Sequence, residues 1–238
     1  MKVDLNCDLG EGESLAKTRA LMRSITSANV ACGGHAGNVN TMHACVRLAK
    51  QFNVRVGAHP GIASNFGRGS VSITAPELQL LVLQQAGALA TICAAHRVQL
   101  HHIKLHGALY HLTEVDEDLA KAFLMIVRCW FPKTMIYARA GGRVATLTRK
   151  FRVKVWEEAF ADRAYRDDGS LVARDEPGSL ISNPREIAGR LEQLLKRGVV
   201  EPIDGEPVTI RARTFCVHSD TPNSSKIAAL CRRFIRNG

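Results

Sequence analysis

Polar and apolar positions alternate over residues 2–6 (Lys-Val-Asp-Leu-Asn), and the run ends in the acidic, glycine-punctuated stretch Cys7-Asp8-Leu9-Gly10-Glu11-Gly12-Glu13. A period of two followed by glycines predicts a strand that delivers its last side chains to a loop. The same phrase then recurs. Residues 24–31 predict a strand ending at Cys32-Gly33-Gly34-His35, followed by a helix over 38–52. Residues 54–58 end at His59-Pro60-Gly61, and residues 99–105 end at His106-Gly107. Between these two strands, Thr74-Ala75-Pro76-Glu77 has capping-box spacing with proline in the first turn, which opens a long helix to about residue 97.

The second half keeps the rhythm. A helix over 115–130 precedes a strand over 134–138 that stops at Gly141-Gly142, and a short helix to residue 150 leads into a sixth strand over 153–160. The connection that follows, 161–182, is longer than the 2–6 residues of an ordinary strand-to-helix link and predicts a lid or binding loop. Asn183-Pro184 with Glu186 caps a helix that Gly198 stops. Asp204-Gly205 marks a small hairpin within 199–211. Residues 214–218 form a seventh strand, and Asp220-Thr221-Pro222 starts the last helix. Seven strand–helix units in succession imply a parallel sheet. With no break in composition to divide the chain, the sheet is expected to close into a single α/β domain spanning 1–238, a seven-stranded (β/α) barrel with its chemistry at the C-terminal ends of the strands.

Composition narrows the setting. The 238 residues are 46% hydrophobic and 23% charged, enough to fold around a core. The longest uncharged apolar run, 78–95, is broken by Gln79, Gln84, Gln85, Gly87 and Thr91, and Met1-Lys2-Val3-Asp4 does not open a signal peptide, so neither a membrane nor export is expected and the location expected is cytoplasmic. Seven cysteines without any CxxC pair read as reduced, packed thiols. The net charge of +10 divides unevenly. Residues 1–120 carry 10 basic and 9 acidic side chains, and residues 121–238 carry 22 and 13. The basic excess centres on the acid-free stretch 119–156. It is spread over several elements without a recognition motif, so it reads as a solvated or subunit-contacting face and not as a nucleic-acid surface.

The strand ends hold an unusual set: Asn6 and Asp8, His35, His59, His106, Glu157 and Asp162, His218 and Asp220. Four of the nine histidines fall where a barrel assembles its active site. Imidazoles and carboxylates converging on one pocket serve proton transfer near neutral pH or hold a divalent metal, and the residue types leave both uses open. Lys104 lies two residues before His106, on the same face, as an electrostatic helper to a proton carrier. His101 and His102, in mid-strand, read as structural.

The same segments carry a family likeness. Asp4-Leu5-Asn6-Cys7-Asp8-Leu9-Gly10-Glu11-Gly12, Ser27-Ala28-Asn29-Val30-Ala31-Cys32-Gly33, Val56-Gly57-Ala58-His59-Pro60-Gly61, His106-Gly107-Ala108-Leu109-Tyr110, Glu158-Ala159-Phe160-Ala161-Asp162-Arg163 and Cys216-Val217-His218-Ser219-Asp220-Thr221-Pro222 resemble, in order, the motifs of the LamB/YcsF family. The resemblance implies a barrel of the glycoside hydrolase/deacetylase type. It also implies ATP-dependent opening of the lactam 5-oxoproline to glutamate, with ATP and Mg²⁺ as co-reactants and 5-oxoprolinase subunits B and C as partners. On that reading Asp8, His35, His59, Lys104 and His106 are catalytic. Asn6, Asn29, Arg68, Tyr110, Glu157, Arg163, His218 and Asp220 bind substrate, the arginines by gripping its carboxylate. The alternative on the same barrel is a metal-dependent, deacetylase-like amide hydrolase with Asp8, His35 and His59 as ligands. No GxxxxGK[ST] loop occurs, so a nucleotide site would be atypical or lie on a partner. Gly34 stands where the family usually has an aromatic residue.

Overall fold

The computed structural model describes residues 3–63, 71–221 and 223–237. Seven parallel strands close a barrel: β1 (Asp4–Leu9), β2 (Ser27–Ala31), β3 (Arg55–His59), β4 (Leu100–Ile103), β5 (Met135–Arg139), β6 (Val155–Phe160) and, after the short antiparallel pair β7 (Val199–Val200) and β8 (Val208–Thr209), β9 (Thr214–Val217), which pairs with both β6 and β1. Around it run α1 (Leu15–Met22), α2 (Val39–Phe52), α3 (Ala75–Ala95), α4 (Gly107–Val115), α5 (Glu117–Trp130), α6 (Arg143–Phe151), α7 (Pro184–Arg197) and α8 (Ser224–Asn237). The predicted strands are all present. Helix α1 is additional, and the helix expected over 115–130 is preceded by a separate one, α4, that begins directly after His106.

Helix ends follow their capping residues. Thr74 and Glu77 exchange hydrogen bonds at the start of α3, Asn38 and Thr41 do the same for α2, and Gly198 closes α7 with φ +64°. Among the described residues α3 is the one helix long and apolar enough to cross a membrane by length and composition. Its face of Leu78, Val82, Ala86, Leu89, Ile92 and Cys93 is buried in the barrel's outer layer. Six of the seven cysteines are buried and Cys129 is exposed. Burial pushes the thiols of Cys32, Cys45, Cys93 and Cys231 up to about 12.

Every residue of β1 is buried, so its alternation does not divide core from solvent. Leu5, Cys7 and Leu9 belong to the apolar core shared with the helices, whereas Asp4, Asn6 and Asp8 bond to side chains from across the barrel. Barrels of this kind normally fill their axis with branched apolar side chains. This one fills it with polar groups. At the N-terminal end, Asp4 accepts hydrogen bonds from Ser27 (2.7 Å), Tyr137 (3.1 Å) and Thr214 (2.6 Å). Above it, His102 stacks on Tyr137 with ring centroids 3.8 Å apart. Room for His102 comes from Gly57 on β3, where a Cβ would stand 2.1 Å from the imidazole Nε2.

The segment 161–182 has internal structure. Arg163 donates to the carbonyls of Val172 (2.6 Å) and Ser179 (3.3 Å), Ala164, Tyr165 and Val172 are buried, and the Tyr165 carbonyl accepts from Ile203 on the β7–β8 connection. The expected lid is thus a folded platform anchored to the small hairpin. Basic residues of 119–156 are partly neutralised by acids from outside the stretch: Glu114 takes Arg139, and Glu117 takes Lys121 and Arg143.

Because His102 occupies the volume that a side chain at position 57 would need, Gly57→Ala should cost about 1–3 kcal/mol. The expected result is a Tm several degrees lower by differential scanning calorimetry; an unchanged Tm would mean that the axis can repack around the added methyl.

Candidate active site

The site is built from the C-terminal ends of the strands and the loops that leave them. After β1 the chain turns through Gly10 (φ +80°) and Gly12 (φ +104°), a conformation that L side chains rarely adopt. The Glu13 carboxylate holds this turn by accepting from the backbone N–H of Gly10 (2.8 Å) and Glu11 (2.9 Å) and from the Thr18 hydroxyl (2.9 Å). Glu11 Oε1 then lies 2.8 Å from His35 Nε2, 3.1 Å from His106 Nδ1 and 3.7 Å from His59 Nε2. His106 Nδ1 is also 2.9 Å from His59 Nε2. The rings of His35 and His106 stack at 3.6 Å between centroids, with His59 close to perpendicular to both. Three histidines from three loops thereby present nitrogens to one carboxylate oxygen.

Their other faces are held differently, and His35 Nδ1 is buried without a hydrogen-bond partner among the described residues. His59 Nδ1 is 2.8 Å from the Lys104 carbonyl oxygen and therefore carries the hydrogen, which leaves Nε2 facing the cluster. Gly61 lies against the side chains of His35 and His106, where a Cβ would stand 2.3 Å from His35 Nδ1 and 3.0 Å from the His106 Cβ. Its backbone is gripped on both sides by Gln85 of α3, which accepts from Gly61 N at 3.0 Å and donates to Gly61 O at 2.9 Å. Gly34 leaves the space for that amide, since a Cβ there would lie 2.0 Å from Gly61 O and 2.3 Å from Gln85 Nε2. A side chain at this position has no room beside the Gly61 carbonyl.

Below the histidines lies a buried charge centre. Lys104 Nζ is 3.1 Å from Asp8, 3.0 Å from Glu158 and 3.1 Å from Cys216 Sγ. Glu158 also accepts from Asn6 (2.8 Å) and Tyr110 (3.1 Å). Asn29 donates to Asn6 and Asp8, both at 2.7 Å, so its own oxygen faces His102 Nε2 at 2.6 Å. Burial opposes ionisation of Asp8 and Lys104, but the pair more than offsets it: His59 and Lys104 hold the Asp8 carboxyl well below the usual range, and Asp8, Cys216 and Glu158 hold the Lys104 ammonium well above its own. Burial would lower His59, yet Asp8 beside it raises it. In His35 and His106 burial prevails over the pull of Glu11, lowering His35 to about 4 and His106 in the same direction, so both are neutral near pH 7.

The residues expected from sequence separate into groups. Asn6, Asp8, Asn29, His35, His59, Lys104, His106 and Tyr110 do meet. Glu157 does not: it points away from the axis and accepts from Gly141 N at 2.8 Å, and its neighbour Glu158 takes the inward place. Arg163 spends its guanidinium on loop carbonyls. Asp220 lines the mouth but pairs with Arg174 at 2.6 Å. Arg68 lies outside the described residues. His218 is present, held by Asp162. Glu11 is not among the residues expected from sequence, although its place between two glycines after a strand is a usable signal. Above the cluster an open cavity of about 320 Å³ is lined by Glu11, Glu13, Lys17, His35, His106 and Asp220, among others.

The motif set of the LamB/YcsF family matches residues 3–238. The chain belongs to that family. It is 43% identical to the A subunit of 5-oxoprolinase from Pyrococcus furiosus over 238 residues, which covers 98% of this chain and 93% of the relative. It is 40% identical to the A subunit of 5-oxoprolinase from Rhodopseudomonas palustris, covering 98% and 94%. Among solved structures, the lactam utilization protein from Thermus thermophilus superposes with a TM-score of 0.91 at 38% identity, over 100% of this chain and 97% of that one. The family's barrel and this chain's barrel are therefore the same fold, and the imidazole cluster sits at its mouth.

Removing the ammonium alone strands two buried carboxylates, so Lys104→Met should destabilise the fold by about 3–5 kcal/mol. Adding Glu158→Gln to that variant should recover part of the loss in urea unfolding; an equal or larger loss in the double variant would show that the charges are not balanced as described.

Proposed function

We infer that this chain is the A subunit of a 5-oxoprolinase, a hydrolase that opens the cyclic amide of 5-oxoproline to L-glutamate. The observation that carries the reading is the convergence of His35, His59 and His106 on one Glu11 oxygen at the floor of a cavity, in a chain whose relatives bear that name. A lactam is resonance-stabilised, and water opens it only once the carbonyl is made electrophilic and the developing charge is met by fixed donors. We assign the energetic part to ATP with Mg²⁺, bound with the help of partner subunits B and C, because the activation of an amide oxygen by phosphoryl transfer calls for a phosphate cradle.

The cluster also fits a divalent cation. Metal–nitrogen bonds of about 2.0–2.1 Å in a tetrahedral set place the ligand atoms about 3.3 Å apart. The separations here run from 2.8 to 3.7 Å around Glu11 Oε1, and His59 has its tautomer set by a backbone carbonyl, as metal-bound histidines do. Glu11, His35, His59 and His106 would hold the ion, which when bound would polarise the lactam oxygen. Lys104 and Asp8 keep the groups beneath the cluster charged and fixed, and Glu13 keeps Glu11 aimed inward. The cavity's acidic lining and the pairing of Arg163 elsewhere leave Lys17 as the cation that lines the cavity among the described residues.

Three outcomes follow. Purified alone with MgATP and 5-oxoproline, the chain should form neither ADP nor glutamate at a useful rate, and adding the partner subunits should bring both out in step; full turnover by the lone polypeptide would overturn the division of labour. In the reconstituted complex His106→Ala should lower turnover by about 10²- to 10⁴-fold, and wild-type activity in that variant would displace the cluster from the reaction. Calorimetric titration of the isolated chain with Zn²⁺ or Mn²⁺ should give one site that His35→Ala abolishes, whereas binding unaffected by that change would place the ion elsewhere.

A further inference from the structure

The three imidazoles at the mouth are committed to a single point, which leaves the proton transfers of ring opening without a carrier. A fourth imidazole stands on the other side of Asp8. His218 follows β9, and its Nδ1 lies 3.1 and 3.0 Å from the two carboxylate oxygens of Asp162. Asp162 is 1% exposed and is fixed further by the His218 backbone N–H (3.0 Å) and the Thr221 hydroxyl (3.3 Å). The Phe160 ring stacks on the imidazole, 5.8 Å between centroids with planes 13° apart. A carboxylate bonded to Nδ1 makes that nitrogen the one that carries hydrogen and turns the Nε2 lone pair outward.

Two further facts place the ring beside the cavity. A ring nitrogen of His218 lies within 4.8 Å of Asp8 and Cys216, at the top of the polar axis, and the next two residues, Ser219 and Asp220, line the same cavity as His35 and His106. Asp8, Cys216 and His218 could be mistaken for a second metal set, but Lys104 already places its ammonium 3.1 Å from both Asp8 and Cys216 and supplies the positive charge there. His218 is left with an Asp-aligned imidazole and no hydrogen-bond partner for Nε2 among the described residues.

We propose that His218, aligned by Asp162, is the proton carrier of the hydrolysis, facing the substrate from the side opposite the Glu11–histidine cluster. The proposal rests on the reading of 5-oxoproline as substrate. As the water oxygen bonds to the ring carbonyl carbon, one water proton passes to His218 Nε2. The bond from that carbon to the ring nitrogen then breaks, its electron pair stays on nitrogen, and the same proton is delivered there, so the amine leaves neutral and His218 returns to its starting form. The added hydroxyl loses its proton to solvent as the carbonyl re-forms, and a second water splits the resulting acyl phosphate into the glutamate carboxylate and inorganic phosphate. Asp162 is a positioning residue: it never receives the proton and acts by holding the tautomer and the ring plane.

The test uses the complete enzyme, this chain with its partner subunits, and follows glutamate release with MgATP. His218→Ala should lower kcat by about 10²- to 10⁴-fold with KM for 5-oxoproline within a few-fold of wild type, and added imidazole should restore part of the rate. Asp162→Asn, nearly isosteric, should lower kcat without changing KM by presenting the wrong tautomer; its circular dichroism and Tm verify the fold, and His218→Gln serves the same purpose at the neighbouring position. A His218→Ala enzyme within fivefold of wild type overturns the proposal. So does a loss that imidazole fails to restore while Asp162→Asn remains fully active, because that pattern belongs to a packing residue. A wild-type complex that forms no glutamate from 5-oxoproline removes the reading on which the proposal rests, a result distinct from either of these.

Discussion

The contact on which the rest depends is the buried ammonium of Lys104 between Asp8 and Glu158. A closed parallel barrel has an interior that must be filled, and apolar side chains do this at least cost. Here the axis holds acids, amides, a histidine and a tyrosine, and burial of so many polar groups is tolerable only if each finds a partner. Lys104 is the positive charge that, with His59, lets the Asp8 carboxylate remain ionised deep in the protein, and it bonds Glu158 as well. Its chain carbonyl also receives the Nδ1 hydrogen of His59. One residue therefore sets the charge balance of the interior and the ring orientation of a histidine at the mouth.

The site above that axis is an arrangement of loops held by local hydrogen bonds. Glu13 braces the double-glycine turn that brings Glu11 inward, and Gln85 braces Gly61 against the His35 and His106 side chains. Neither brace touches the cavity chemistry directly, except that Glu13 also forms part of the wall. They convert flexible glycine segments into fixed ones, and a fixed geometry matters where nitrogen atoms must meet within a few tenths of an ångström.

Much of this is legible in the chain. Short strand signals at regular spacing, five of them ended by glycines, locate all seven barrel strands, and histidines falling after three successive strand signals locate the cluster. What the chain does not disclose has physical causes. Glu157 takes the place of Glu158 in the expected site because adjacent strand residues face opposite ways, and a parity misjudged by one residue exchanges inside for outside. Glu11 goes unmarked because a carboxylate in a loop has no periodicity to show its direction. Arg163 has the right chemistry for a carboxylate, but the nearest acceptors are carbonyls of its own loop, and such local competition cannot be read from spacing. His102 reads as structural, and it does support others, through its bond to Asn29. Helix α1 is only eight residues long, with weak amphipathicity, and sits between two stronger strand signals.

The fit of Gly34, Gly61 and Gln85 bears on how this site can be remodelled. A side chain at position 34 collides with the Gly61 carbonyl whether or not Gln85 is shortened, and with Gln85 shortened the Gly61 backbone also loses both of its partners. The backbone therefore limits position 34, and shortening Gln85 alone does not open it. Admitting a side chain at position 34 requires the Gly61 backbone itself to move, so libraries that vary positions 34 and 85 together are expected to retain glycine at 34.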